Sequence, residues 1–194
     1  MRYLHKQFSF AILPYNQPNL SSNNNMSAIQ VTVRVAQTPA DYAAAFALVN
    51  ELAAYEKAAH EVTLTLEQFI ADGQGSHPLY QLRVAEISGL DNTPEPQIAG
   101  MALFYTMYST WKGKIVYLDD VVVQEKYRRY GIGQHLMNTV LDYARTQNAA
   151  QVRWHVLDWN TPAIRFYEKM QVRLEPEWIT CKMDKELLFA PKNN

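Results

Sequence analysis

Three short stretches carry residue types that could do chemistry together. Residues 115–123 read IVYLDDVVV, residues 127–136 read YRRYGIGQHL, and residues 159–170 read WNTPAIRFYEKM. In the second, Gly131 and Gly133 stand behind Arg128 and Arg129 and ahead of a helical pattern. Glycines admit positive φ and let a ligand approach the backbone. The following helix offers unpaired N–H groups and the positive end of its dipole, so loop and arginines together suit a phosphate or pyrophosphate. Ordinary turn chemistry accounts for a lone G-x-G as well. No G-x-x-x-x-G-K-[ST] occurs, so this is not a Walker loop.

In the first stretch Asp119 is a carboxylate inside an apolar run. Strand alternation puts Ile115, Tyr117, Asp119, Val121 and Val123 on one face and Asp120 on the other. Burial raises a carboxyl pKa toward that of a useful general base, and a nearby ammonium pulls it down again. The alternative is a bulge or strand end with solvated acids. In the third stretch Tyr167 is a phenol that stays protonated at neutral pH and can donate. It reads equally as a half-buried core tyrosine, one of twelve in the chain.

The elements that position these groups follow from periodicity. Ile29–Val35 alternates as a strand. Thr38-Pro39-Ala40-Asp41 starts a helix that runs to Tyr55, with an N-cap, a first-turn proline and an acid three residues on. A second helix covers Leu64–Ala71, capped by Thr65 and ended by Gly73 and Gly75. Strands follow at Leu79–Ile87, Ile98–Met107 and Lys114–Val123, the last two as a hairpin. Ile132, Leu136, Val140 and Ala144 mark one apolar helix face. Val152, Trp154 and Val156 mark a fifth strand. Asn160 caps a helix to Lys169, and a last strand is expected near Trp178–Met183. The order predicts a single α/β (α+β) domain with a mixed sheet, in which strand four, helix and strand five form a parallel crossover.

Composition narrows the classes. The chain has 194 residues, 48% hydrophobic and 19% charged, with a formal net charge of −1. Nothing global attracts nucleic acid or an anionic membrane. The longest apolar runs fall far short of a membrane span. The single cysteine, Cys181, excludes an intrachain disulfide and a Cys-based metal site, is expected to pack in the last strand, and fits a cytoplasmic setting. His60, His77 and His155 lack metal-ligand spacing, so no metal is expected. Residues 1–28, rich in Pro, Asn and Ser after a short apolar patch, are expected to be a disordered extension, with Met26 an alternative start and the folded domain spanning 29–194.

The pattern Arg128-x-x-Gly131-x-Gly133 after a Val-rich strand resembles the acetyl-CoA pyrophosphate loop of the GNAT N-acetyltransferase superfamily. WNTPAIRFYEKM resembles that superfamily's Asn-led helix ending in Phe-Tyr. LVNELAAYEK, LEQFIADGQGSHPLYQLRVAE, WKGKIVYLDDVVV and KMDKELL are similar to spermidine/spermine (diamine) N-acetyltransferases and their thialysine-acetylating relatives. The resemblance covers roughly Ile29 to Leu188. It implies a mostly antiparallel mixed GNAT sheet, a homodimer, acetyl-CoA as cosubstrate and direct transfer to a small amine.

Residue by residue, the resemblance implies that Arg128, Arg129, Tyr130, Gly131, Ile132, Gly133 and Gln134 wrap the pyrophosphate. Val121, Val122 and Val123 would pair with pantetheine through their backbone, and Asn160 and Ala163 would lie along its arm. Tyr167 is then the general acid and Asp119 the base. Tyr55, Glu56 and Trp111 would line the amine pocket with Asp119. The chain also departs from the family. Asp119 stands for Glu, Ser109-Thr110 for Asp-Pro, and Gln171 for the usual glycine. Near the C-terminus three residues are absent, and Glu175 or Glu177 approximates a family acid. The thinned acidity leaves the acceptor open among polyamines, thialysine-like amino acids and other primary amines. Peptide or aminoglycoside acceptors, and a non-catalytic acyl-CoA-binding module, are the alternatives.

Overall fold

A computed structural model describes residues 29–90 and 95–190. The expected extension at 1–28 lies outside the described residues. Five strands, β1 (Gln30–Val35), β2 (Gln81–Ser88), β3 (Gln97–Ser109), β4 (Gly113–Val123) and β5 (Gln151–Arg153), form one sheet in that order. The pairs β1–β2, β2–β3 and β3–β4 are antiparallel, and β4–β5 is parallel. Helices α1 (Pro39–Tyr55), α2 (Leu66–Gly73), α3 (Ile132–Thr146), α4 (Thr161–Lys169) and the short α5 (Lys185–Leu188) complete the fold. No helix among the described residues is long and apolar enough to cross a membrane.

The sheet is covered on both faces. Tyr42, Ala45 and Leu48 of α1 and Phe69 of α2 pack with Leu82, Val84, Met101, Leu103 and Val122 on what we term the α1 face. Ile132, Leu136, Met137, Val140 and Ala144 of α3 pack with Ala102, Phe104, Val116 and Leu118 on the α3 face. β3 is therefore buried without interruption from Ala99 to Phe104, because both its faces are covered. Truncating one such side chain, Leu136 to Ala for example, would cost about 2–5 kcal/mol.

α1 starts with the capping box the sequence encodes. Asp41 N–H donates to Thr38 Oγ1 at 3.2 Å, and Thr38 N–H donates to Asp41 Oδ2 at 3.0 Å. Thr65 caps α2 and Asn160 caps α4 in the same manner; each cap contributes about 1 kcal/mol.

Of the expected strands, the fifth comes out shorter and the last does not form. β5 stops at Arg153, opposite Tyr117, so Trp154 and Val156 lie beyond the ladder. The strand expected at 178–183 does not form, and 172–184 has no helix or strand. Trp178, Ile179 and Met183 stay 62–87% exposed, and Cys181 is exposed instead of packed. An alternating pattern makes a strand only when a sheet edge receives its N–H and C=O groups. The edge left by a three-residue β5 is too short to receive this one.

Candidate active site

β4 pairs with β5 only from Ile115 to Tyr117, then continues alone on that side to Val123. The N-termini of α3 and α4 follow from the two strands that part there. The wedge between them is where the candidate residues meet.

A bulge sets the acids. Phe104 stands opposite Leu118, and Leu103 stands opposite Asp120, so Asp119 is the extra residue in β4. Directly opposed residues share a face. Leu103 belongs to the α1-face core, so Asp120 points to that face, as does Val122. Tyr117, ahead of the bulge, lies there too, its ring 5.3 Å from that of Tyr105. The bulge thus reverses the alternation. The expected single face holding Tyr117, Val121 and Val123 is not found, because Val121 and Val123 turn to the α3 face. Asp120, expected on the opposite face from Tyr117, shares the α1 face with it.

The two carboxylates differ. Asp119 is exposed and Asp120 half-buried. Burial raises the Asp120 pKa to about 6, with Asp119 and Glu56 adding like-charge repulsion. Burial also raises Asp119, while His155 pulls it back. Glu56, the C-cap of α1, is raised by burial. Among the described residues no donor hydrogen-bonds to the Asp120 carboxylate. Asp120 is the residue that strict alternation hid; the double acid inside an apolar strand was the signal for it.

Tyr167 lies on α4, 6% exposed, its ring 5.1 Å from Trp154 and 5.4 Å from Phe166. Burial, then the charge of Asp120, pushes its phenol up to about 12. Tyr167 is both a core tyrosine and a neighbour of the acids.

The cofactor-side residues gather at the other end of the wedge. Gly131 is the N-cap of α3 with φ 78°, a left-handed conformation that costs glycine little. It brings no capping side chain, which leaves first-turn N–H groups at Ile132, Gly133 and Gln134 free for an anion. Gly133 is helical, so of the two properties glycine offers it does not use positive φ. A Cβ there would meet Phe166 at 3.8 Å and Val123 at 3.9 Å, an ordinary contact. The fold itself therefore does not demand glycine at 133, whereas a ligand lying on the helix end would. Arg128, Arg129 and Tyr130 line an open cavity of about 540 Å³ with Glu125 and Lys126. Asn160 accepts at Oδ1 from Ala163 N–H at 3.3 Å.

Of the acceptor residues, the wedge holds Tyr55 and Glu56. Tyr55 reaches Asn160, and Glu56 lies within electrostatic range of Asp120. Trp111 sits in the β3–β4 turn, 80% exposed. From Gly113 to Asp119 the strand rises about 20 Å, so Trp111 is not brought to the site within one chain. Glu175 is engaged by Arg173 at 2.5 Å and Glu177 is exposed. His155, which has no metal-ligand spacing, places its Nδ1 2.6 Å from the Tyr117 hydroxyl. His60 pairs with its neighbour Glu61, and His77 with Ser76. Among the described residues no group of three or more His, Cys, Asp or Glu side chains could hold a metal.

Comparison with known proteins supplies the context. The family model described as Acetyltransferase (GNAT) family matches residues 90–171. A thialysine N-epsilon-acetyltransferase of Bos taurus is 40% identical over 124 residues, 63% of this chain and 73% of that protein. A spermidine/spermine N(1)-acetyltransferase-like protein 1 of Homo sapiens is 28% identical over 145 residues, 73% of this chain and 21% of that protein. A crystal structure of an aminoglycoside acetyltransferase from a soil metagenome superposes with TM-score 0.60 at 15% identity, covering 80% and 95% of the two chains, a likeness of fold alone.

Proposed function

The chain belongs to the GNAT family of acetyltransferases, and on that premise we propose that it transfers an acetyl group from acetyl-CoA directly to the primary amine of a small polyamine-like or thialysine-like acceptor. The observation that carries this reading is the bulge that turns Asp120 to the α1 face, within electrostatic range of Glu56 and Tyr167.

The residues present fit acetyl-CoA. The free first turn of α3, the arginines at 128 and 129 and the open space over Gly133 suit a pyrophosphate. The β4 edge at Val121, Val122 and Val123, with Asn160 and Ala163, suits an amide-bearing arm. When bound, acetyl-CoA supplies an activated thioester and a thiol leaving group.

The chain's own groups then divide the proton work. An alkyl ammonium with a pKa near ~10 must shed a proton to become nucleophilic. A carboxylate at about 6 is a better base than an ordinary aspartate by roughly two units, about 3 kcal/mol of driving force at most. We assign that role to Asp120, with Asp119 and Glu56 drawing the cation in by charge. Tyr167 holds its proton at neutral pH and presents it to the departing sulfur. The Asp120 anion helps hold that phenol up, so a proton gained by Asp120 makes Tyr167 the stronger acid.

The test is thiol release from acetyl-CoA with spermidine, spermine, putrescine, thialysine, lysine, an aminoglycoside and a lysine peptide. Turnover with a small amine and none with the peptide is expected. Silence with every amine, while acetyl-CoA still raises the melting temperature, would overturn transfer in favour of a binding module. A cytoplasmic homodimer belongs to the same proposal. The exposed apolar side chains at Leu174, Trp178 and Ile179 offer surface that a second copy would cover, and sedimentation would reveal it.

A further inference from the structure

The last residue of α1, Tyr55, and its C-cap, Glu56, serve two different halves of the wedge. The helix ends with Lys57 in the left-handed region at φ 60°. Lys57 N–H donates to Ala54 O at 3.1 Å, and Ala58 N–H donates to Ala53 O at 2.8 Å. This paired arrangement closes the helix as a Schellman end and fixes where its final side chains point. Glu56, the C-cap, lies within electrostatic range of Asp120. Tyr55 meets the other side. Its hydroxyl donates to Asn160 Oδ1 at 3.3 Å, its ring centroid lies 5.8 Å from that of Trp159, and the Arg128 guanidinium stands 6.0 Å from the ring.

Each partner is itself tied down. Asn160 Oδ1 also accepts from Ala163 N–H at the α4 cap. A carbonyl oxygen takes two such bonds, so Tyr55 completes the set and leaves the Asn160 amide NH₂ as the group free to donate. Arg128 Nε donates weakly to Val123 O at the end of β4, at 3.4 Å. Tyr55 thus ties the α3 loop to the α4 cap across the end of the β4 edge.

We propose that Tyr55 is a positioning residue of the acetyl-CoA site, holding Asn160 and Arg128 in place, so that one helix end serves the acyl donor through Tyr55 and the acceptor through Glu56. This rests on the acetyl-CoA reading above. It moves Tyr55 from a residue that reads the amine to one that couples the two substrates. Linkage makes such coupling reciprocal: bound acetyl-CoA changes the affinity for the amine by the same factor as bound amine changes the affinity for acetyl-CoA.

The experiment is a calorimetric titration of acetyl-CoA alone, with no amine present, into wild type, Tyr55→Phe and Tyr55→Leu. Tyr55 is 42% exposed, so both variants should fold, which circular dichroism checks. Losing the hydroxyl should weaken acetyl-CoA binding about 3–10-fold, and losing the ring by about 10-fold or more. Tyr55→Phe should add little in an Asn160→Ala background, because the shared bond is already gone. Unchanged acetyl-CoA affinity in both variants, or fully additive losses with Asn160→Ala, would overturn the coupling. A wild type that does not bind acetyl-CoA at all would instead overturn the function proposed above.

Discussion

Asp41 and Asp120 are both carboxylates set against apolar surroundings, and the fold gives them opposite environments. Asp41 is 3% exposed. It accepts from both Arg34 Nη groups at 2.7 and 2.8 Å and from the Gln37 and Thr38 N–H groups at 2.9 and 3.0 Å. Arg34 in turn bonds Glu86, so one cluster joins β1, β2 and the start of α1. The Arg34 guanidinium, against the cost of burial, holds the Asp41 carboxyl well below the usual range. Asp120 has burial and two acidic neighbours instead, and rises to about 6. A buried acid whose carboxylate accepts four hydrogen bonds is a structural joint. One without a donor is poised to take up a proton.

The largest effect that would break this comparison is on activity. Asp120→Asn should lower kcat/KM on the order of 10²–10⁴-fold. Asp119→Asn, at the exposed position, should cost less. The reverse order in steady-state assays would return the base to Asp119. Beside it, Tyr167→Phe should lower kcat about 10²-fold with little change in KM for acetyl-CoA; an unchanged kcat would leave Tyr167 a core residue only.

Asp41 should answer in stability instead. Asp41→Asn removes the charge that Arg34 faces and should cost about 3 kcal/mol in urea unfolding, with kcat retained in the folded fraction. Retention of full stability would mean that Glu86 alone satisfies Arg34.

The two acids also set opposite pH dependences. Asp41 has a depressed folded pKa, so its stabilisation is present above the unfolded value near ~3.9 and is lost as pH falls through the folded one. Asp120 has a raised folded pKa. Its contribution is favourable below about 4 and is lost as pH rises through about 6. Asp120→Asn should therefore melt a few degrees above wild type at pH 7 and level with it below pH ~4. The same ionisation predicts an acidic limb in kcat/KM near pH 6 that this variant lacks. A limb that persists would belong to another group.

The smallest effect lies just after α4. Gln171 takes φ 58°, where L-residues are strained. Gln171→Gly should stabilise by about 0.5–1 kcal/mol without touching the site. A loss of stability would show that the glutamine side chain makes up the strain.

Much of the scaffold was legible because local rules wrote it. The Thr38/Asp41 box, the caps at Thr65 and Asn160 and the four-residue spacing of Ile132, Leu136, Val140 and Ala144 place three helix starts and one buried face with little help from distant residues. Strand lengths were less legible. The alternation through Trp154 and Val156 runs past the point where β5 parts from β4, and that near Trp178 pairs with no strand among the described residues. Trp111 was assigned by likeness, but the length of β4 keeps it from Asp119. The two glycines share one sequence pattern, but only Gly131 takes positive φ, and Gly133 lies inside α3.

The sequence by itself determined the helices and their caps, the glycine loop before α3 and the acids inside an apolar strand, because each depends on residues a few positions apart. Only the tertiary structure decided which acid turns to the α1 face. That choice rests on a one-residue bulge against β3, and a slip of one residue turns every later side chain in the strand to the opposite face.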